Sequence, residues 1–109
     1  MHKIEVVVQP DCVSAVSEAL RRAKIGPFRA SQVTMFDPSQ VADGSYRGAS
    51  YPIGRERVKL ELIVAEYDVE PAVDAIRKGV ETFGRGETDL VVLPVEVVLP
   101  VEGPARRPR

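Results

Sequence analysis

An α+β fold with the element order β-α-β-β-α-β and an antiparallel sheet is predicted by three observations. Two stretches alternate apolar and polar residues with the period of a strand, Lys3–Gln9 and Arg57–Ala65. Each is followed by an apolar pattern spaced by three and four residues, the period of a helix. The two halves also echo each other at an offset of 56–57 residues. Ile4-Glu5-Val6-Val7-Val8 is matched by Leu60-Glu61-Leu62-Ile63-Val64, and Asp11, Ala15 and Val16 by Asp68, Ala72 and Val73.

The elements follow in order. Lys3–Gln9 is rich in β-branched residues and stops at Pro10. Asp11 is placed to cap a helix over 12–24, whose apolar face is Val13, Val16, Leu20 and Ala23. Arg21, Arg22 and Lys24 suit the negative end of its dipole, and Gly26-Pro27 ends it. Phe28–Phe36 reads as a second strand. Residues 37–56 show almost no apolar periodicity and are broken by three glycines and two prolines. They are expected to form a long mobile loop, of the kind that carries function. Arg57–Ala65 is the clearest strand. Asp68 is a cap candidate for a helix bearing Val69, Val73, Ile76 and Val80, which Gly79 weakens. A polar, glycine-bearing loop over 83–89 leads to a strand-like stretch over 90–101, interrupted by Pro94 and Pro100. Residues 103–109 read as a short basic tail and 1–102 as one domain.

This is the split βαβ, ferredoxin-like pattern, with both helices on one face of the sheet. The opposite face is bare unless subunits associate, and a domain of this size buries only about two-thirds of its unfolded surface. A homo-oligomer is therefore expected.

Composition narrows the function. The chain has 109 residues, 15 basic and 16 acidic, for a net charge of −1. That excludes a strongly basic nucleic-acid binder. A single cysteine, Cys12, excludes an internal disulfide framework and fits a reducing compartment. No apolar run exceeds four residues, far below the ~20 of a membrane span. The start runs straight into an alternating segment without a leader pattern, so a cytoplasmic location is expected. The one histidine, His2, has no second histidine or cysteine nearby, so no metal site of the usual kind is expected. Without a placed base, no catalytic set is expected either, and the chain reads as a non-enzyme.

Residues 46–51, Tyr-Arg-Gly-Ala-Ser-Tyr, resemble the loop signature Tyr-Arg-Gly-Ala-Glu-Tyr of the P-II nitrogen-regulatory proteins. Lys3-Ile4-Glu5 with Pro10, the stretch Val58–Val64, and Val73–Ile76 are similar to that family as well. The similarity covers roughly residues 1–98. It implies a trimer, adenine-nucleotide binding in clefts between subunits, and signalling to a partner through the long loop. Carried over residue by residue, it places Gly26, Phe28, Arg29, Glu61 and Ile63 near the adenine. It places Thr82, Gly84, Arg85, Gly86, Glu87 and Thr88 in the loop that holds phosphate.

The departures reshape that expectation. The family's nucleotide loop, Thr-Gly-x-x-Gly-Asp-Gly-Lys, is here Thr82-Phe83-Gly84-Arg85-Gly86-Glu87-Thr88-Asp89. An acid stands where the family has its phosphate-binding lysine. Two further family arginines fall at Pro100 and Glu102. At the loop base, Gly-x-Gly-Arg-Gln is replaced by Met35-Phe36-Asp37-Pro38-Ser39, and the family's lysine further along falls at about Arg57. A site with fewer positive groups favours ADP or AMP over ATP and argues against 2-oxoglutarate. The chain is similar to divergent P-II-like branches, one of them associated with carboxysomes and bicarbonate.

Arg47, Arg55, Arg57 and Lys59 give the loop a local positive balance. They can grip a small anion, or simply keep the loop soluble; the resemblance further implies that Arg47 is a contact to a partner such as a membrane transporter. Tyr51 matches a tyrosine modified in some members, although Ser50 and Pro52 alter its setting. Arg85 with Gly84 and Gly86 can replace part of the missing lysine, or form an ordinary turn. Glu61 is either a pocket residue or an outward position on the bare face. Two alternatives stand beside the bicarbonate-linked reading: a nitrogen-regulatory protein binding ATP and 2-oxoglutarate, and a structural or metal-tolerance trimer without nucleotide.

Overall fold

The computed structural model describes residues 1–43, 50–82 and 89–101. Six elements follow the predicted order: β1 (His2–Val8), α1 (Val13–Arg22), β2 (Arg29–Asp43), β3 (Ser50–Val64), α2 (Val69–Glu81) and β4 (Leu90–Pro94). Single 3-10 turns at Pro10–Cys12 and Glu66–Asp68 lead into the two helices. The sheet is antiparallel with strand order β2-β3-β1-β4.

The strand period sorts the sheet's two faces. Ile4, Val6 and Val8 of β1 and Leu60, Leu62 and Val64 of β3 are buried beneath the helices. They meet Val16 and Leu20 of α1 and Ala72, Ala75 and Ile76 of α2 in one core. The alternate positions, Lys3, Glu5 and Val7 on β1 with Lys59, Glu61 and Ile63 on β3, lie on the helix-free face.

Several expectations are corrected. The buried stripe of α2 is Ala72, Ala75, Ile76 and Gly79, with Val69, Val73 and Val80 only partly buried beside it. The helix is turned so that its small residues face α1. A Cβ on Gly79 would lie 2.6 Å from the Cα of Val16, so the two backbones touch there. The glycine is thus a contact residue rather than a weak point. Asp11 sits inside the first 3-10 turn and caps nothing, while Asp68 occupies the cap position of α2 without a side-chain hydrogen bond. α1 ends at Arg22 with Ala23 as its C-cap, before Gly26. Lys24 takes the left-handed conformation at φ 61°. Its N–H donates to Arg21 O, and that of Ile25 to Leu20 O, both at 3.0 Å. This is a Schellman closure, with buried Ile25 completing it.

The largest correction concerns residues 37–56. The structure pairs β2 with β3 out to Asp43 and Ser50, so most of the predicted loop is a two-stranded arm. The register shifts between Phe36 and Val41, where the Asp37 carboxylate accepts from the Ser39 N–H at 2.9 Å and its hydroxyl at 2.7 Å. Strands of 15 residues extend ~50 Å at about 3.3 Å per residue. The molecule is accordingly 64 Å long, and its radius of gyration is 17.8 Å. A compact chain of this length would give about 13 Å. Residues 35–41 and 51–56 are exposed, so neither face there selects apolar residues and the sequence carries no apolar period.

β4 stops at Pro94, short of the predicted strand end at 101. His2, the first residue of β1, already pairs with Pro94, and only the Val95 N–H bond to Met1 O follows. Residues 103–109 lie outside the described residues, as does Glu102.

Candidate functional site

A surface cleft of about 470 Å³ opens at the sheet's edge, lined by Lys3, Pro27, Phe28, Arg29, Glu61, Leu62 and Ile63. Two backbone features build it. Gly26 adopts φ +154°, a conformation that side chains rarely allow, and swings Pro27 and Phe28 against the end of β3. The antiparallel register then sets Arg29 directly opposite Glu61. Four of the expected adenine residues, Phe28, Arg29, Glu61 and Ile63, therefore share one cleft. Gly26 shapes it without lining it.

The floor is polar and ionised. Glu61 is only 17% exposed, and on its other side it faces Glu5 across the sheet. Like charges so placed repel. Lys3 offsets this: its Nζ lies 2.9 Å from Glu5 Oε2 and 2.9 Å from Glu61 Oε2. Lys59 adds a longer contact of 3.6 Å to Glu61. The hydrogen bond from Lys3 holds the Glu61 carboxyl below its ordinary range, helped by the charges of Lys3, Lys59 and Arg29, while partial burial opposes the shift. Lys3 is raised in turn, first by its bond to Glu5 and then by that to Glu61. The walls, Pro27, Phe28 and Ile63, are apolar. Apolar walls over a carboxylate floor can bury the apolar face of a ligand and accept a hydrogen bond from a donor on its edge. Lys3 was not expected as a site residue. The signal lay in the repeat Lys3-Ile4-Glu5 and Lys59-Leu60-Glu61, which antiparallel pairing folds into one charge network.

The remaining expected residues are placed elsewhere. Thr82 follows α2, where its hydroxyl donates to Lys78 O at 3.0 Å, and it lines a groove between the helices rather than the cleft. Gly84, Arg85, Gly86, Glu87, Thr88 and Arg47 lie outside the described residues. Arg55, Arg57 and Lys59 stand at alternate positions of β3 on the helix-free face, leading from the cleft along the arm. Arg55 donates to Gln40 Oε1 at 3.1 Å and Arg57 to Glu56 O at 2.8 Å. Among the described residues neither is ion-paired, so both keep their charge available. Tyr51 is half-exposed on the arm. Cys12 is buried, and loss of solvation followed by the Asp11 charge pushes its thiol up, which makes it unreactive. No helix among the described residues is long and apolar enough to cross a membrane.

No protein-family model matches the chain. Known proteins do. Nitrogen regulatory protein P-II of Mesorhizobium japonicum is 31% identical over 100 residues, covering 91% of this chain and 89% of that protein. The protein of the same name from Cereibacter sphaeroides is 33% identical over 97 residues, covering 88% and 87%. The crystal structure of Arabidopsis thaliana PII bound to citrate superposes with a TM-score of 0.71 at 28% identity, covering 92% of this chain and 81% of that one. Similarity of this extent, on a shared antiparallel α+β frame, shows that the chain belongs to the P-II family of nitrogen regulatory proteins.

Proposed function

We propose that the chain is a nucleotide-gated regulator that acts in the cytoplasm as a homotrimer. An adenine nucleotide, ADP or AMP in preference to ATP, occupies the cleft of Phe28, Arg29, Glu61 and Ile63. Residues 82–88 of a neighbouring subunit complete the site. A small anion such as bicarbonate sits at Arg55 and Arg57, and the arm meets a regulated partner such as a transporter. The chain works by binding, not by catalysis.

The observation that carries this reading is the cleft itself, where an apolar slot meets an ionised carboxylate at the root of a projecting arm. The helix-free face supports the trimer, since Ile63, Val91 and Leu93 stand exposed on it. Asp89 and Pro100, where the family carries positive charge, support a ligand with few phosphates. Each lost charge-assisted hydrogen bond costs ~1.5–3 kcal/mol. The neighbour that was solved with citrate supports a small carboxylate-like anion as co-ligand. The arm's root is the cleft's wall, because β2 and β3 supply both, so a ligand that contacts Arg29 and Arg57 together selects one setting of the arm.

Hydrogen exchange tests this. Amides of 29–43 and 50–64 are expected to slow when ADP and bicarbonate are added together. Arg57→Ala should reduce that protection while the trimer persists. Unchanged exchange along the whole arm at saturating ligand would refute gating.

A further inference from the structure

We propose that Lys3 is the positioning residue that fixes Glu61 as an ionised acceptor, so that the cleft takes purines bearing a 6-amino group and rejects their 6-oxo counterparts. This rests on the nucleotide reading above, and the test below separates the two.

Glu5 and Glu61 are a directly opposed pair on adjacent strands, both only partly exposed. Two carboxylates in that position tend to share one proton, because partial burial raises the cost of keeping both charged. A protonated Glu61 would present a donor, and its preference for a ring edge would invert. The ammonium of Lys3 touches both acids at 2.9 Å, so both can stay ionised. It also ties Glu61 Oε2, which limits the carboxylate's rotation in the cleft. Among the described residues, the other charged groups facing Glu61 are Lys59 on its own strand, at 3.6 Å, and Arg29 opposite on β2. Neither reaches Glu5 within ion-pair distance, so among the described residues Lys3 alone couples the two acids. The downward shift of Glu61, caused first by its bond to Lys3, agrees with this order.

An ionised carboxylate accepts from a 6-amino group. Opposite a 6-oxo group it meets a second acceptor, and the pair repels. A buried polar group left without its partner separates such ligands by tenfold or more. Lys3 therefore controls selectivity through Glu61 without needing to touch the base.

The experiment is a calorimetric comparison of ADP with IDP on the full chain, at about pH 7.5 and about pH 5.5, spanning the range in which a raised carboxyl would titrate. The unmodified protein should bind ADP at least about tenfold tighter than IDP at both values. In Lys3→Met, which keeps the apolar stem, the preference should persist at the higher pH and collapse at the lower. Adding Glu5→Gln should restore it, because Glu61 then has no opposed charge and keeps Lys59 and Arg29. A purely structural role for Lys3 would not be rescued by removing a second charge. Equal selectivity in Lys3→Met at both pH values overturns the proposal, as does failure of Glu5→Gln to rescue it. If the unmodified protein binds neither nucleotide, it is the nucleotide reading that has failed. Carboxyl titration by NMR then decides the role of Lys3. A raised midpoint for Glu5 or Glu61 in Lys3→Met, reversed by the second substitution, sustains it, and unmoved midpoints overturn it.

Discussion

Replacing Gly79 by alanine sets two well-known effects against each other. In an exposed helix the change stabilises by up to about 1 kcal/mol, since alanine is the better helix former. Here the new Cβ would lie 2.6 Å from both Cα and Cγ2 of Val16 and 2.7 Å from its backbone nitrogen. Carbon atoms rest at about 3.5–4.0 Å, so α1 and α2 must part by roughly 1 Å. Two of the three clashing atoms are backbone, which no rotamer change can relieve. Overpacking of this kind costs typically about 1–3 kcal/mol. Parting the helices also loosens Ala72, Ala75 and Ile76 against the sheet. The expected net effect is destabilisation by about 1–2 kcal/mol, which lowers Tm by at least roughly 4 °C in a domain this small. Thermal unfolding followed by circular dichroism, at one fixed protein concentration, measures it. Val16→Ala in the Gly79→Ala background should recover little, because Cα and the nitrogen remain. A Gly79→Ala protein that melts higher than the parent would refute the close helix crossing.

Gly54 gives the contrasting case. A Cβ there meets Thr34 Cγ2 at 2.7 Å and the exposed Phe36 ring at 2.8 Å, groups that can swing into solvent, so Gly54→Ala should shift stability by less than about 0.5 kcal/mol in chemical unfolding. Glu18 accepts hydrogen bonds from Arg21 and Arg22, in that order of effect, which lower its carboxyl from 4.5 to about 2. A lowered carboxyl contributes stability above its unfolded value and loses it as pH falls through its folded value. The stability difference between the parent and Glu18→Gln should therefore be constant above pH 4.5 and vanish towards pH 2, and salt should shrink it. Sedimentation at micromolar concentration should give about 36 kDa, three times the 11.9 kDa chain, and a monomer would remove the inter-subunit site.

The parts of the fold legible in the sequence are those with one buried and one exposed side. β1 and the inner half of β3 alternate because the helices cover one face only, and the pairing Ile4–Leu62 and Val6–Leu60 follows from that pattern. The arm is illegible because the strands read over Phe28–Phe36 and Arg57–Ala65 run on past the core, residues 41–43 against 50–52, where pairing alone holds them and no core selects apolar residues on one face. The buried side of α2 was misjudged because branched residues mark a helix face more loudly than Ala72, Ala75 and Gly79, although close crossing demands the small ones. Lys24 shows the same limit: a lysine can close a helix in the left-handed conformation when Ile25 has a core to enter. At the cleft, the resemblance names Phe28, Arg29, Glu61 and Ile63, and the fold brings them together. Lys3 was missed because its role depends on register, which single-strand periodicity does not report.

Calorimetric titration with AMP, ADP and ATP, each with and without bicarbonate and 2-oxoglutarate, decides which nucleotide and which co-ligand the cleft takes. ADP or AMP should bind more tightly than ATP, bicarbonate should strengthen the binding, and 2-oxoglutarate should change little. ATP binding about tenfold tighter than ADP, a difference of ~1.4 kcal/mol, in the presence of magnesium and 2-oxoglutarate would contradict this.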